Sequence, residues 1–382
     1  MIRITDRSSC CGCTACASVC PHGAISMKED RMGFAYPQLD ESLCTECGLC
    51  VRTCDFIQER AKDPVPDRVK VIAARHVDDE KLAGSQSGGV FTALSDVILA
   101  DGGVVYGASL TDDYSVSHIR VDNIHSRECL KGSKYVQSNL TGIFASVRND
   151  LQKGIPVMFT GTPCQVAGLR SFIVPHLQEN LFTVDFICHG VPSPAVWNDY
   201  VTWMSGRAKP SGVSFRDGDM GWRVHWESFS YAGRKEFRET WRLLFYKNIM
   251  LRRSCFRCPY NINERKADVT MADFWGVEEI VPELADGKGV SMVICFTEKG
   301  SKLFSRASSY LRTAKAVVSK EFLLRKNPNL VRPSVPDKDL ECFETAYQEK
   351  GFVHVAQRWA DLGWRYKAWK IKKYIANIFR KK

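Results

Sequence analysis

The chain has 382 residues, 45% hydrophobic and 25% charged, a composition that excludes a disordered protein and a length that exceeds one compact core. Its formal charge is +10, and no run of eighteen apolar residues occurs, which argues against a helical membrane span. The opening MIRITDRSSCCGC carries no apolar segment of the secretory kind. The expectation is therefore a cytoplasmic protein whose sixteen cysteines bind metal or stay reduced instead of pairing as disulfides.

Residues 1–57 read as a small module. Cys10, Cys13, Cys16 and Cys20 are spaced C-x2-C-x2-C-x3-C with Pro21 following, and Cys44, Cys47, Cys50 and Cys54 repeat that spacing. Three thiolates two residues apart can wrap three irons of a 4Fe-4S cubane, while the fourth, expected to open a short helix, reaches across to the other cluster. This predicts a bacterial dicluster ferredoxin fold, with one cluster on Cys10, Cys13, Cys16 and Cys54 and the other on Cys44, Cys47, Cys50 and Cys20. Zinc is the competing metal, but it takes four ligands in two pairs, not eight in interleaved order. Gly12 and Gly48 supply the sharp bends that turn N–H groups toward sulfur. Asp55 stands where the first repeat has Pro21, and Cys11, beside a ligand, reads as an ordinary neighbouring thiol or else as a substitute for that ligand.

Residues 58–68 (QERAKDPVPDR) are polar with two prolines and read as a linker. From residue 69 to 335, strand-like runs (VKVIAAR, GGVVYGAS, IPVMFTG, LFTVDFICHG) alternate with helical patterns such as SGGVFTALSDVILA, which predicts a larger α/β domain. Four stretches in it carry chemistry. At Ser85–Gly89, small residues at a helix start suit phosphate or a flavin edge, or else Ser85 or Ser87 is a plain N-cap. Lys131–Ser138 (KGSKYVQS) sets two lysines, hydroxyls and a ring around a glycine bend, fit for a flat anionic cofactor or simply solvated.

Cys164 and Cys188 each follow a strand, where α/β domains place ligands. With Cys255 and Cys258 they supply four thiols, enough for a third 4Fe-4S cluster, for a zinc site, or for two buried thiols beside an unrelated C-x2-C turn. Cys129, Cys295 and Cys342 read as packing residues. His189 is either a proton donor or a locally hydrogen-bonded histidine.

Residues 336–382 form a helical basic extension. Its end, WRYKAWKIKKYIANIFRKK, sets Trp364, Trp369, Ile371, Tyr374, Ile375, Ile378 and Phe379 beside lysines and arginines. Such a segment suits peripheral contact with the inner face of an anionic membrane through residues 364–382, docking on its own domain, or RNA.

In this order, after a dicluster ferredoxin, QSGGVFTALS, KGSKYVQS, GTPCQVAGL, ICHGVPSP, C-x2-CPY and ADVTMADFWG resemble the coenzyme F420 hydrogenase/dehydrogenase beta subunit family, from about residue 10 to residue 300. The resemblance implies an α+β protein: a ferredoxin fold, an α/β flavin-binding domain and a helical tail. It implies FAD or FMN near Ser87, Gly88, Gly89, Lys131, Ser133, Lys134, Tyr135 and Ser138, a third cluster on Cys164, Cys188, Cys255 and Cys258, and Asp273 in the active pocket or capping the turn of Trp275. Chains with such a basic extension also resemble bacterial relatives associated with surface-polysaccharide synthesis.

Three clusters of about −2 each and a flavin pyrophosphate would reduce +10 to roughly +2, so charge alone gives no reason for a nucleic-acid partner. The implied activity is an oxidoreductase. Ferredoxin or another low-potential donor feeds clusters, and a flavin reduces a small organic acceptor; a deazaflavin could drive the flow in reverse. The rival is an electron-transfer subunit with no small substrate of its own.

Overall fold

The computed structural model describes residues 1–60, 63–206, 208–364, 366 and 368. The membrane-facing expectation for the tail falls mainly on Trp369, Ile371, Tyr374, Ile375, Ile378 and Phe379, which lie outside the described residues. Among the described residues, no helix is long and apolar enough to cross a membrane.

The N-terminal module contains two short helices, Ala15–Val19 and Leu49–Thr53, and a hairpin of β1 (Ile25–Glu29) and β2 (Ala35–Leu39), in which Ile25 faces Leu39. Gly12 and Gly48 bend the loops at φ +72° and +74°, a region open to glycine at little cost. Cys20 and Cys54 close the two helices, where the spacing predicted that they would open them. Because Cys16 and Cys50 already lie inside the helices, the fourth cysteine of each repeat falls just past the last turn.

The larger unit is built on strands β3 (Arg68–His76), β4 (Val104–Leu110), β5 (Val116–Val121), β6 (Val157–Gly161), β7 (Leu181–Phe186), β8 (Gly212–Ser214), β9 (Glu227–Tyr231), β10 (Arg234–Arg238), β11 (Val269–Asp273), β12 (Ser291–Cys295) and β13 (Leu311–Ser319). Eight of them form one mixed sheet in the order β13-β3-β12-β11-β7-β6-β4-β5. Its central pairs β4–β6, β6–β7 and β7–β11 are parallel. The first strand begins at Arg68, within the stretch read as linker. Arg60 before it pairs with Glu264, and Asn263 holds the carbonyls of Asp63 and Pro64, which ties this stretch to the domain surface.

Alternation along the strands divides the core. Val105 and Met158 pack against the helices Val90–Ala100 and Glu298–Ala307, while Val104, Tyr106, Val157 and Phe159 pack against Ile143–Gln152 and Pro163–Phe172, as a two-residue side-chain period requires. Ala15 of the ferredoxin module joins the second of these cores.

A further core is aromatic. It combines the helix Pro194–Met204, the small sheet β10-β9-β8, and the helices Thr240–Tyr246 and Leu340–Trp359. Phe343, Tyr347, Phe352 and Trp359 of the last helix lie in it beside Trp197, Tyr200 and the ferredoxin residues Met32 and Phe34. The first part of the basic extension is thus built into the fold, and Gly351, at φ +73°, bends its helix.

Candidate redox site

The interleaved thiols of the module lie in two groups. Cys20, Cys44, Cys47 and Cys50 line one small cavity that opens beside Met1 and His22, and Cys47 is exposed. In the other group, Cys16 faces the thiols of Cys13, Cys10 and Cys54. Burial pushes the Cys16 thiol up and the Cys54 thiol up to about 11. Crowded buried thiols are poor acids by themselves, and bound iron supplies the charge that lets them ionise. Asp55 is an anchor: it accepts from Tyr260 at 2.8 Å and pairs with Arg60, fastening the module to the larger unit.

The larger unit brings together the other four cysteines. The parallel strands β6 and β7 end in one direction, so Cys164, just after β6, and Cys188, just after β7, reach the same carboxyl edge. There they line a cavity with Cys255, Cys258, Cys11 and Arg252. Desolvation pushes Cys255 and Cys258 up to about 12 and Cys188 well above the ordinary thiol range. Cys164 is brought down to about 7, chiefly by hydrogen bonding with Cys11. Among the described residues, no three His, Cys, Asp or Glu side chains converge on a point suited to one metal ion. Four thiols around one space are a donor set open to an iron-sulfur cluster or to zinc.

A second, larger cavity of about 530 Å³ adjoins this one, within the size range of cofactor sites. Ser87, Gly89, Lys131, Ser133, Lys134, Tyr135 and Ser138 line it, together with His189, Asp273, Phe245, Tyr246 and Trp275. Gly88 stands behind its wall: a Cβ there would meet the Ala74 carbonyl oxygen at 2.2 Å and the Ser291 nitrogen at 2.5 Å. Neither Ser85 nor Ser87 caps the helix Val90–Ala100. Gly89 precedes it at φ +74° with no side-chain cap, while the two serines donate to the carbonyls of Lys81 and Val290. Open N–H groups, two lysines and aromatic walls fit a phosphate-bearing ring cofactor.

Lys134 is held by the carbonyls of Cys129 at 2.9 Å and Lys131 at 2.6 Å, and desolvation lowers its pKa to about 8. Lys131 pairs with Glu128 at 2.8 Å. Asp273 is paired at 2.6 Å with the buried Arg216. His189 bridges Asn248 at 2.6 Å and Asn329 at 3.2 Å, and burial lowers its pKa, which keeps the ring neutral near pH 7. The segment Cys188–Val191 and Asn329 belong to the walls of both cavities.

Several residues here carry no local sequence signal. Cys11, read as an ordinary thiol, is buried within hydrogen-bonding reach of both Cys13 and Cys164. Arg252, Arg216 and Asn329 reach the site from distant parts of the chain. Conversely, Cys129 and Cys342, expected as packing residues, are exposed, and Cys295 is half-buried; helical surroundings did not place the first two on an inward face.

Comparison with known proteins agrees with this layout. Residues 9–56 match the 4Fe-4S dicluster domain, and residues 156–318 match the C-terminal region of the coenzyme F420 hydrogenase/dehydrogenase beta subunit. A component of the F(420)H(2) dehydrogenase of Methanosarcina mazei is 23% identical over 177 residues, 44% of this chain and 49% of that protein. A component of the Na(+)-translocating ferredoxin:NAD(+) oxidoreductase complex of Acetobacterium woodii is 35% identical over 74 residues, 19% of this chain and 20% of that protein. The chain thus spans half or less of the length of these curated relatives. A solved chain of the F420-reducing NiFe hydrogenase complex from Methanosarcina barkeri shares the fold, with a TM-score of 0.50 and 18% identity over 76% of this chain and 96% of that one. With its dicluster domain and the matching segment behind it, the chain is an iron-sulfur protein related to the coenzyme F420 hydrogenase/dehydrogenase beta subunits.

Proposed function

We propose that the protein is an iron-sulfur flavoprotein oxidoreductase. The observation that carries this reading is the common wall, Cys188–Val191 with Asn329, between the thiol-lined cavity and the 530 Å³ cavity. Cys164, Cys188, Cys255 and Cys258 would hold a third 4Fe-4S cluster, and Ser87, Gly89, Lys131, Ser133, Lys134, Tyr135 and Ser138 would surround FAD or FMN. When bound, these groups supply single-electron relay and its conversion to two-electron chemistry on an organic acceptor; the basic extension, like that of bacterial relatives associated with surface-polysaccharide synthesis, supports an acceptor of that kind.

The chain's own part is placement. The surface cavity of Cys20, Cys44, Cys47 and Cys50 faces a ferredoxin-like donor. Neutral His189, held between two asparagines, stands at the common wall as a proton-handling group. Asp273 fixes Arg216 behind Trp275, over whose ring the guanidinium lies at 5.3 Å, and so shapes the acceptor side of the large cavity. A second reading, an electron-transfer subunit without its own substrate, draws on relatives that are subunits of larger complexes.

Anaerobic reduction with photoreduced ferredoxin tests the proposal. The yellow chromophore should bleach in the parent protein and at least about tenfold more slowly in Cys258→Ser, while the N-terminal clusters reduce equally in both. Equal bleaching rates would remove the thiol cavity from the route, and a protein without yellow chromophore would favour the second reading.

A further inference from the structure

Arg252 is fully buried at the junction of the ferredoxin module and the thiol cavity. Its guanidinium donates to the Cys10 carbonyl at 2.8 Å, the Cys10 Sγ at 3.6 Å, the Ala35 carbonyl at 2.9 Å and Gln137 Oε1 at 2.9 Å, and it lies 4.2 Å from the centre of the Tyr36 ring. Gln137 in turn donates to the Cys11 carbonyl at 3.1 Å. Together they grip the first cysteine loop, and a Cβ on Gly12 would meet Gln137 Nε2 at 2.8 Å and Arg252 Nη1 at 2.9 Å.

On the other side, the Arg252 backbone N–H donates to the Val191 carbonyl at 3.0 Å, and the N–H of Val191 donates to Cys255 Sγ at 3.4 Å. A buried cation is costly unless negative charge stands next to it. The ionisable groups that most favour its charged form are the thiols of Cys10, Cys11 and Cys255 and the Tyr36 phenol. Thiolate-bound iron would supply the missing negative charge.

A 4Fe-4S cluster on four thiolates gains one negative charge on one-electron reduction, so a fixed cation beside it in a dry site favours the reduced form. Among the described residues, the cavity of Cys20, Cys44, Cys47 and Cys50 has no comparable neighbour: Arg52, beside the Gly48 loop, is exposed, and water screens its field. We propose that Arg252 is a positioning residue that raises the reduction potential of the cluster bound by Cys10, Cys13, Cys16 and Cys54 above that of the cluster bound by Cys20, Cys44, Cys47 and Cys50. An electron given up by a low-potential donor at the outer site then rests on the inner one, whose ligand Cys13 touches Cys164 through the Cys11 thiol.

Potentiometric titration followed by electron paramagnetic resonance tests this on the full chain. Arg252→Gln should shift the inner-cluster midpoint to more negative potential and leave the outer midpoint in place, and Arg252→Lys, which keeps the charge, should restore most of the shift. Gln137→Glu provides a route that leaves the guanidinium in position: a carboxylate at the 2.9 Å contact neutralises its field and should also lower the inner midpoint, with iron content unchanged. An inner midpoint that stays put in Gln137→Glu, or an outer midpoint that moves equally, overturns the assignment even if Arg252→Gln loses iron. Arg252 also lines the cavity of Cys164, Cys188, Cys255 and Cys258, but the two midpoints compared are those of the N-terminal clusters, so the inference can fail while the proposed flavin route stands, and the reverse.

Discussion

Cys258 and Gly88 separate two kinds of motif residue. Cys258→Ser removes one thiol of the four at the carboxyl edge, and the expected result is loss of roughly four irons per chain with about eight retained. Retention of the parent iron content would mean that this cavity holds no cluster. Gly88→Ala forces a methyl group against the backbone of Ala74 and Ser291 and should cost about 1–3 kcal/mol by overpacking, read as a lower melting temperature at unchanged iron content. The eight N-terminal cysteines were legible in the sequence because their grouping is written in local spacing. Arg252 was not, since its partner Cys10 lies 242 residues away and one arginine among many carries no spacing signal. The contact of Cys11 with Cys164 was hidden for the same reason, since only the fold brings the element carrying Cys164 near.

At the scale of elements, the helix Pro163–Phe172 joins the two units. A Cβ on Gly168 would meet Cys13 Sγ at 2.6 Å and Cys13 Cβ at 2.8 Å, so Gly168→Ala should wedge the first cysteine loop outward and lower occupancy of the inner cluster while sparing the outer one. Parent-like iron and resonance signals would show that the loop yields.

The aromatic core makes a pH prediction. Burial pushes the Glu227 carboxyl, which accepts from the Trp241 backbone at 2.7 Å and Tyr200 at 3.1 Å, up to about 7. An unfolded chain releases this proton in the ordinary carboxyl range. As pH rises from there through about 7, the folded state holds a proton the unfolded state has lost, and stability falls. Glu227→Gln should flatten that decline in denaturant midpoints, and an unchanged slope would contradict the buried, protonated carboxyl. Strands β4, β6 and β7 were visible as apolar runs because strands in parallel pairs at the centre of a sheet are buried on both faces. The caps were less visible, since Ser85 and Ser87 look like N-cap residues until long-range packing hands the role to Gly89.

For the whole molecule, the ferredoxin module, the mixed sheet and the aromatic core meet around the thiol cavity, so integrity of one bears on the others. A chain ending at residue 335 would lose Phe343, Tyr347, Phe352 and Trp359 from the aromatic core. At about 3–5 kcal/mol for loss of one buried aromatic side chain, the combined loss exceeds a usual folding stability. Such a chain should lose cooperative melting, whereas one ending at residue 363 should keep it. The sequence placed residues 336–382 together as one extension because basic residues dominate its end, while the apolar face of Leu340–Trp359 is recognisable only once its partners Trp197 and Tyr200 are known.

In the proposed function, one chain gathers electrons through thiolate-held iron next to a flavin. Anaerobic purification with iron, sulfide and flavin quantitation tests it most directly. About twelve irons, about twelve sulfides and one flavin per chain are the expected result. Eight irons with no yellow cofactor released on denaturation would contradict it.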